Sequence, residues 1–192
     1  MSTDLLDEGY ACLRRGDPEA ALRRFHKAIE SQPTNPQGHF ARAMAYLDLG
    51  LGDKVMQALD ATLQVDPTYA SARAFRGIEL LKRYAIDAAQ DELQHALHDA
   101  PTNLLVHLKY AEYYYRLGFY PNAVTMLEKG LSIPHGANEH LVAMARQLLT
   151  QSRQKCKGLI IRQPPDPRRW FHLFDRFRPA LAKRVPTSRE VS

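Results

Sequence analysis

The chain has 192 residues, 45% of them hydrophobic and 24% charged, a balance that suits one folded domain or one repeat array with a tail and excludes a chain disordered throughout. Its two cysteines, Cys12 and Cys156, lie near opposite ends of the sequence, which excludes a disulfide framework and a cysteine-rich zinc site and suits a reducing cytoplasm. The net charge of +5 is uneven: residues 1–152 hold 15 Lys+Arg against 18 Asp+Glu, and residues 153–192 hold 11 against 3, so the basic character of the whole gives the N-terminal part no preference for nucleic acid.

The start, Met1 to Glu8, is acidic and lacks the basic stretch and apolar run of a secretory signal. No segment reaches the roughly 18 consecutive apolar residues of a membrane span. A first helix is predicted from Leu5 to Arg15, and Gly16-Asp17 breaks it. Pro18 suits the first turn of a second helix, Glu19 to Ser31, which ends ahead of Pro33. The pattern then returns with a period of 34: Pro33, Pro67 and Pro101 keep it, as do Gly9, Ala43, Gly77 and Ala111. Two further columns share the period, Ala21, Val55, Ala89 and Ala123, and Phe25, Leu59, Leu93 and Leu127. Small residues let paired helices approach, and the bulky column fills the space between units. A single unit leaves an apolar face wet, so stacking about three or more stabilises the array.

The stretch Gly16-Asp17-Pro18-Glu19-Ala20-Ala21-Leu22, followed by Phe25, Ala28 and Pro33, resembles the tetratricopeptide repeat (TPR) family. The resemblance covers roughly residues 2–135, as three good units and a weaker fourth. Tyr84 replaces a turn glycine in the third unit, and Gly130 replaces a packing alanine in the fourth. The fourth also closes one residue off the proline period, at Pro134. The expected fold is an all-α right-handed α-solenoid of about four TPR helix pairs, residues 1–136. A capping helix follows over 137–158, with Asn138 as its cap and Leu141, Val142, Met144, Ala145, Leu148 and Leu149 as its apolar stripe. Arg146, Gln147 and Gln151 are expected to face water.

In such arrays the resemblance implies that the first helix of each unit lines an inner groove. By register the inward positions are Leu6, Tyr10 and Leu13; Phe40, Met44 and Leu47; Ala74, Ile78 and Leu81; and Leu108, Glu112 and Tyr115. An apolar surface of that kind suits an apolar segment of a partner polypeptide. Family members that hold acidic chaperone tails use a clamp of lysine, asparagine and arginine. The matching places here hold Leu6, Tyr10, Ala41, Ser71 and Phe75, which disfavours that role. Small bacterial TPR chaperones for secreted apolar substrates are a loose analogy, since they carry an extra N-terminal helix.

Residues 159–192 leave the period. Gln163-Pro164-Pro165-Asp166-Pro167 reads as a stiff linker, followed by Trp170, Phe171, Phe174 and Phe177 flanked by Arg168 and Arg169. Such a basic aromatic tail can fold back on the array, dock on a partner, lie on an anionic membrane surface or, least favoured, track nucleic acid.

No catalytic signature accompanies the repeats. His95 and His98 sit on a helix that needs Leu93, Ala96 and Leu97 for packing, and surface solvation explains them better than a metal. His39 and His107 mark an equivalent repeat position and not a ligand set. Leu49-Gly50-Leu51-Gly52-Asp53 lacks the phosphate-loop lysine. Cys12 falls in a packing column with Tyr46, Leu80 and Tyr114, and nothing marks Cys156 as a nucleophile. The sequence thus predicts a cytoplasmic, cofactor-free, non-enzymatic adaptor or chaperone. The alternative is a membrane-peripheral assembly factor anchored by its tail.

Overall fold

The computed structural model describes residues 2–134 and 138–157. They form helices only: α1 (Ser2–Arg14), α2 (Pro18–Ser31), α3 (Pro36–Asp48), α4 (Gly52–Val65), α5 (Ala70–Lys82), α6 (Ile86–Asp99), α7 (Leu104–Arg116), α8 (Tyr120–Ser132) and α9 (Glu139–Lys157). Among the described residues no helix is long and apolar enough to cross a membrane. The chain divides into two units, Met1–Cys156 and Lys157–Ser192. The tail positions Arg168, Arg169, Trp170, Phe171, Phe174 and Phe177 lie outside the described residues.

Local chemistry sets the start of the helices. Asp17 accepts from the Ala20 amide at 2.9 Å and Asn35 from Gln37 at 3.0 Å. Asn103 accepts from Leu105 at 2.9 Å, and Asn138 from Leu141 at 3.1 Å. Each cap satisfies an amide that the first turn leaves without a partner. The break inside each pair is the same in all four units. An amide reaches back five residues, from Asp17 to Cys12, Leu51 to Tyr46, Ala85 to Leu80 and Phe119 to Tyr114, at 2.9–3.0 Å. That closure requires a left-handed residue just before the donor. Gly16, Gly50 and Gly118 supply it, and in the third unit Tyr84 adopts it with φ +61.

The helix pairs close on one another through the small and bulky columns. Phe25, Leu59, Leu93 and Leu127 are each fully buried, as are Ala21, Ala43, Ala89, Ala111 and Ala123. The two columns compensate one another. A Cβ on Gly9 would overlap the Phe25 ring, and one on Gly77 would stand 2.8 Å from Leu93 Cγ. Gly130 has a comparable reason: its Cβ would meet His107 Cβ at 2.6 Å.

His39 and His107 share a structural task. His39 Nε2 pairs with the Pro33 carbonyl at 3.0 Å, and His107 Nε2 with the Pro101 carbonyl at 2.9 Å. In the unit between them Arg73 donates to the Pro67 carbonyl at 2.7 Å from Nη2 and 3.0 Å from Nε. Each proline lies in the loop two residues past a second helix, and the same position of the next helix ties down its carbonyl each time.

Between α4, α5 and α6 a charged layer lies beside the apolar packing. Arg76 bridges Asp60 at 3.0 Å and Glu92 at 2.8 Å, while Arg73 meets Glu92 at 3.6 Å and Asp99 at 3.3 Å. At the far end, α9 packs against α7 and α8 through Val142, Ala145 and Leu149, beside Leu104, Leu108 and Leu127. Arg146, Gln147 and Gln151 are exposed, and so is Met144, which the apolar stripe had placed inside.

Candidate protein-binding face

Each first helix gives one face to its own second helix and another to its neighbours in the stack. What remains of α1, α3, α5 and α7 is a shared surface, and the sequence-predicted groove residues divide sharply across it. Leu6, Phe40, Ile78, Leu81 and Leu108 are only 3–9% exposed, and Ala74 is fully buried. Those side chains are core, which corrects their placement as groove lining. The column of Leu6, Phe40, Ala74 and Leu108 is buried in every unit. Ile78 and Leu81 pack in the same cluster as Tyr110 and Tyr113 of α7.

Tyr10, Leu13, Met44, Leu47, Glu112 and Tyr115 are half-buried. Their inner sides support the core while their outer sides meet solvent, the condition an adaptable contact surface needs. Tyr10 rests edge-on against Phe25, with ring centroids 5.4 Å apart. Burial, then Tyr69 and Asp7, push its phenol up to about 12. Burial and Asp66 raise Tyr69 in the same direction.

The geometry adds residues that the register did not select. Phe40 is flanked by Tyr69 at 5.2 Å and Phe75 at 5.7 Å between ring centroids. Lys109 lies over the Phe75 ring, 4.5 Å from its centroid, within range of a cation–π contact. The same ammonium donates to Glu112 at 3.0 Å, and Arg116 donates to Glu112 at 2.6 and 2.9 Å. Burial acts to raise the Glu112 carboxyl, but Lys109 and Arg116 outweigh it and hold it below the usual carboxylate range. The face is thus apolar and aromatic from α1 to α5 and carries a fixed charge cluster at α7. Tyr69, which caps α5, and Phe75, midway along it, were findable from the sequence as aromatics of a first helix. Their pairing with Phe40 depends on how tightly the units stack.

His95 and His98 are exposed, and His98 Nδ1 reaches only its neighbour Asp99, at 3.3 Å. Among the described residues there is no group of three or more His, Cys, Asp or Glu suited to a metal ion. Cys12 is buried in the packing of the first pair.

Residues 13–77 match a family model described as tetratricopeptide repeat. The chain is 30% identical over 97 residues to the human protein DnaJ homolog subfamily C member 3, half of this chain and 19% of that one. It is 32% identical over 93 residues to the tetratricopeptide repeat and J domain-containing co-chaperone DNJ1 of Cryptococcus neoformans var. grubii, 48% of this chain and 18% of that one. The chain therefore spans about a fifth of the length of the curated relatives it matches. Among solved structures, a thermophilic TPR protein of Thermus thermophilus superposes with a TM-score of 0.67 at 18% identity, covering 95% of this chain and all of that one. Residues 13–77 thus resemble the repeat family, and the described residues share the all-α solenoid fold of the Thermus thermophilus protein.

Proposed function

We propose that the array is a protein-interaction module, an adaptor or chaperone, that holds an apolar segment of a partner polypeptide against its first-helix face. The observation that carries the reading is the row of half-buried apolar side chains, Tyr10, Leu13, Met44 and Leu47, continued by Tyr69 and Phe75. Contiguous apolar surface that stays wet in a folded protein is a common mark of a partner site, and methionine with tyrosine suits a partner whose shape varies. Two of the proteins that the chain is similar to carry a J-type name, and one of them is called a co-chaperone, which supports the chaperone form of the reading. Groove capture needs no bond-making residue, and the reading assigns none.

The test uses a leucine-rich amphipathic peptide and a photo-crosslinking side chain placed at position 44 or, as control, at the exposed position 147. Crosslinking from position 44 should dominate. Tyr10→Ala combined with Met44→Asp should weaken peptide binding by about tenfold or more with helicity unchanged. Equal crosslinking from both positions, or unaltered affinity in the double variant, would place the binding surface elsewhere.

A further inference from the structure

The charges of the first helices are sorted along the stack. At one end α1 holds more carboxylates than cations, and Asp7 stands close enough to Tyr10 to help raise its phenol. At the other end α7 carries Lys109 and Arg116 against Glu112, three residues that helical spacing brings to one side of the helix. Among the described residues no carboxylate besides Glu112 meets Lys109 or Arg116. The α7 end of the face therefore holds one positive charge in excess.

That excess is held in place by packing. The Lys109 side chain is 14% exposed, lies 4.5 Å from the Phe75 ring centroid and donates to Glu112 Oε2 at 3.0 Å. Arg116 puts both Nε and Nη2 on the other oxygen, Oε1, at 2.9 and 2.6 Å. Both oxygens of Glu112 are thus engaged, while Arg116 Nη1 has no acceptor among the described residues. Burial, which raises the Glu112 carboxyl, is outweighed by the two cations, so the local field is positive. Because Lys109 rests on Phe75, the charge begins where the aromatic strip stops.

A segment laid on the strip takes water away from Arg116 where it reaches α7. An apolar side chain there leaves the guanidinium without solvation, whereas a carboxylate gives Nη1 an acceptor and balances the charge. We propose that the strip takes an apolar segment bordered at one end by aspartate or glutamate, and that Arg116, backed by Lys109, draws this acidic end to α7. The direction in which the segment lies is then fixed. This inference rests on the reading of the first-helix face as a binding site and adds the partner's polarity to it. It is separate from the clamp for acidic chaperone tails, whose matching places hold Leu6, Tyr10, Ala41, Ser71 and Phe75.

The test is fluorescence anisotropy on the full chain with two leucine-rich helical peptides, acetylated and amidated. They differ only in carrying two glutamates or two glutamines at one end of the apolar stripe. The glutamate peptide should bind about fivefold more tightly, and about 0.5 M sodium chloride should cut that preference to about twofold or less. Arg116→Gln should bring the two peptides within about twofold of one another, while Arg116→Lys should keep the glutamate peptide ahead. A photo-crosslinking residue beside the glutamates should label α7 and not α1. The Arg116 side chain is 46% exposed, so both variants should fold; if helicity falls, the salt series and the crosslinks decide alone. Equal affinity of the parent protein for both peptides, a preference that survives in Arg116→Gln, or labels confined to α1 or to residues 158–192 would each overturn the proposal. Binding of the glutamine peptide tells the two failures apart: with it, only the polarity is lost, and without any binding the face itself is lost too.

Discussion

Placing a methyl group on Gly9 tests whether the small and bulky columns act as a matched pair. The new Cβ would overlap Phe25 Cε1 and stand 2.7 Å from Cδ1 and 2.8 Å from Cζ, and Phe25 is fully buried. Overpacking of that severity costs about 3 kcal/mol, and alanine's better helix propensity offsets about 1 kcal/mol. Gly9→Ala should therefore destabilise the protein by about 2 kcal/mol. Phe25→Leu alone should cost about 1 kcal/mol through the space it leaves. The double variant, however, recreates the pairs Ala43 with Leu59 and Ala111 with Leu127, which the chain already uses in its second and fourth units. It should lie within about 1 kcal/mol of the parent, a coupling of about 2 kcal/mol in a double-mutant cycle. Urea unfolding followed by helical ellipticity supplies all four corners. Additive losses, summing to about 3 kcal/mol within about 0.5, would show that contact between the two columns does not set the spacing of the helices.

Three further outcomes follow from other features. Tyr84 pays a left-handed penalty of about 1–2 kcal/mol that glycine avoids at the other three turns, so Tyr84→Gly should raise the unfolding midpoint slightly after glycine's own entropy of about 0.5–1 kcal/mol; Tyr84→Val should lower it, and the reverse order would refute the strain argument. Arg76→Met leaves Glu92, whose side chain is 15% exposed, without its 2.8 Å partner, and should cost about 1–2 kcal/mol given partial solvent screening, measured by thermal unfolding against Arg76→Lys. Glu112 has a depressed carboxyl in the fold, so its contribution is present above the unfolded carboxylate range and is lost as pH falls through the folded value. Glu112→Gln should therefore flatten the acid limb of a stability–pH profile and leave the neutral-to-basic side parallel to the parent, and an unchanged acid limb would contradict the assignment.

The period of 34 made the architecture legible, because proline, small and bulky columns each answer to a local rule: a stop, a close approach and a filled gap. The turn positions were legible too, down to Tyr84 as the misfit. The groove was legible only in part. Register places a side chain on a helix face, but whether that face meets solvent depends on how closely successive first helices approach. Leu6, Phe40 and Leu108 occupy the column where neighbouring helices meet, and so became core, while Tyr10 and Met44, four residues further along their helices, kept an open side. The role of His39 and His107 was visible as a recurrence but not as a mechanism. Their shared acceptor, the carbonyl of the preceding proline, emerges only when the loop folds back six residues against the helix.

That division narrows what the first-helix face can hold. Leu6, Phe40, Ala74, Ile78, Leu81 and Leu108 are committed to the core, so the apolar surface is a strip, with Tyr10 and Leu13 at one end and the Lys109–Glu112–Arg116 cluster at the other. A strip drawn from about two side chains of each first helix suits one face of a helix or a short extended segment better than a large unfolded region. Under the proposed function the Glu112 cluster would limit register: an apolar side chain laid over Arg116 would strand a charged group against hydrocarbon, so the apolar stripe of such a partner would have to end, or turn polar, at α7. A series of leucine-rich peptides differing only in stripe length should gain affinity until the stripe reaches α7 and lose it beyond. A steady gain with length would mean that the charges at α7 move aside and that the strip is open along the whole stack.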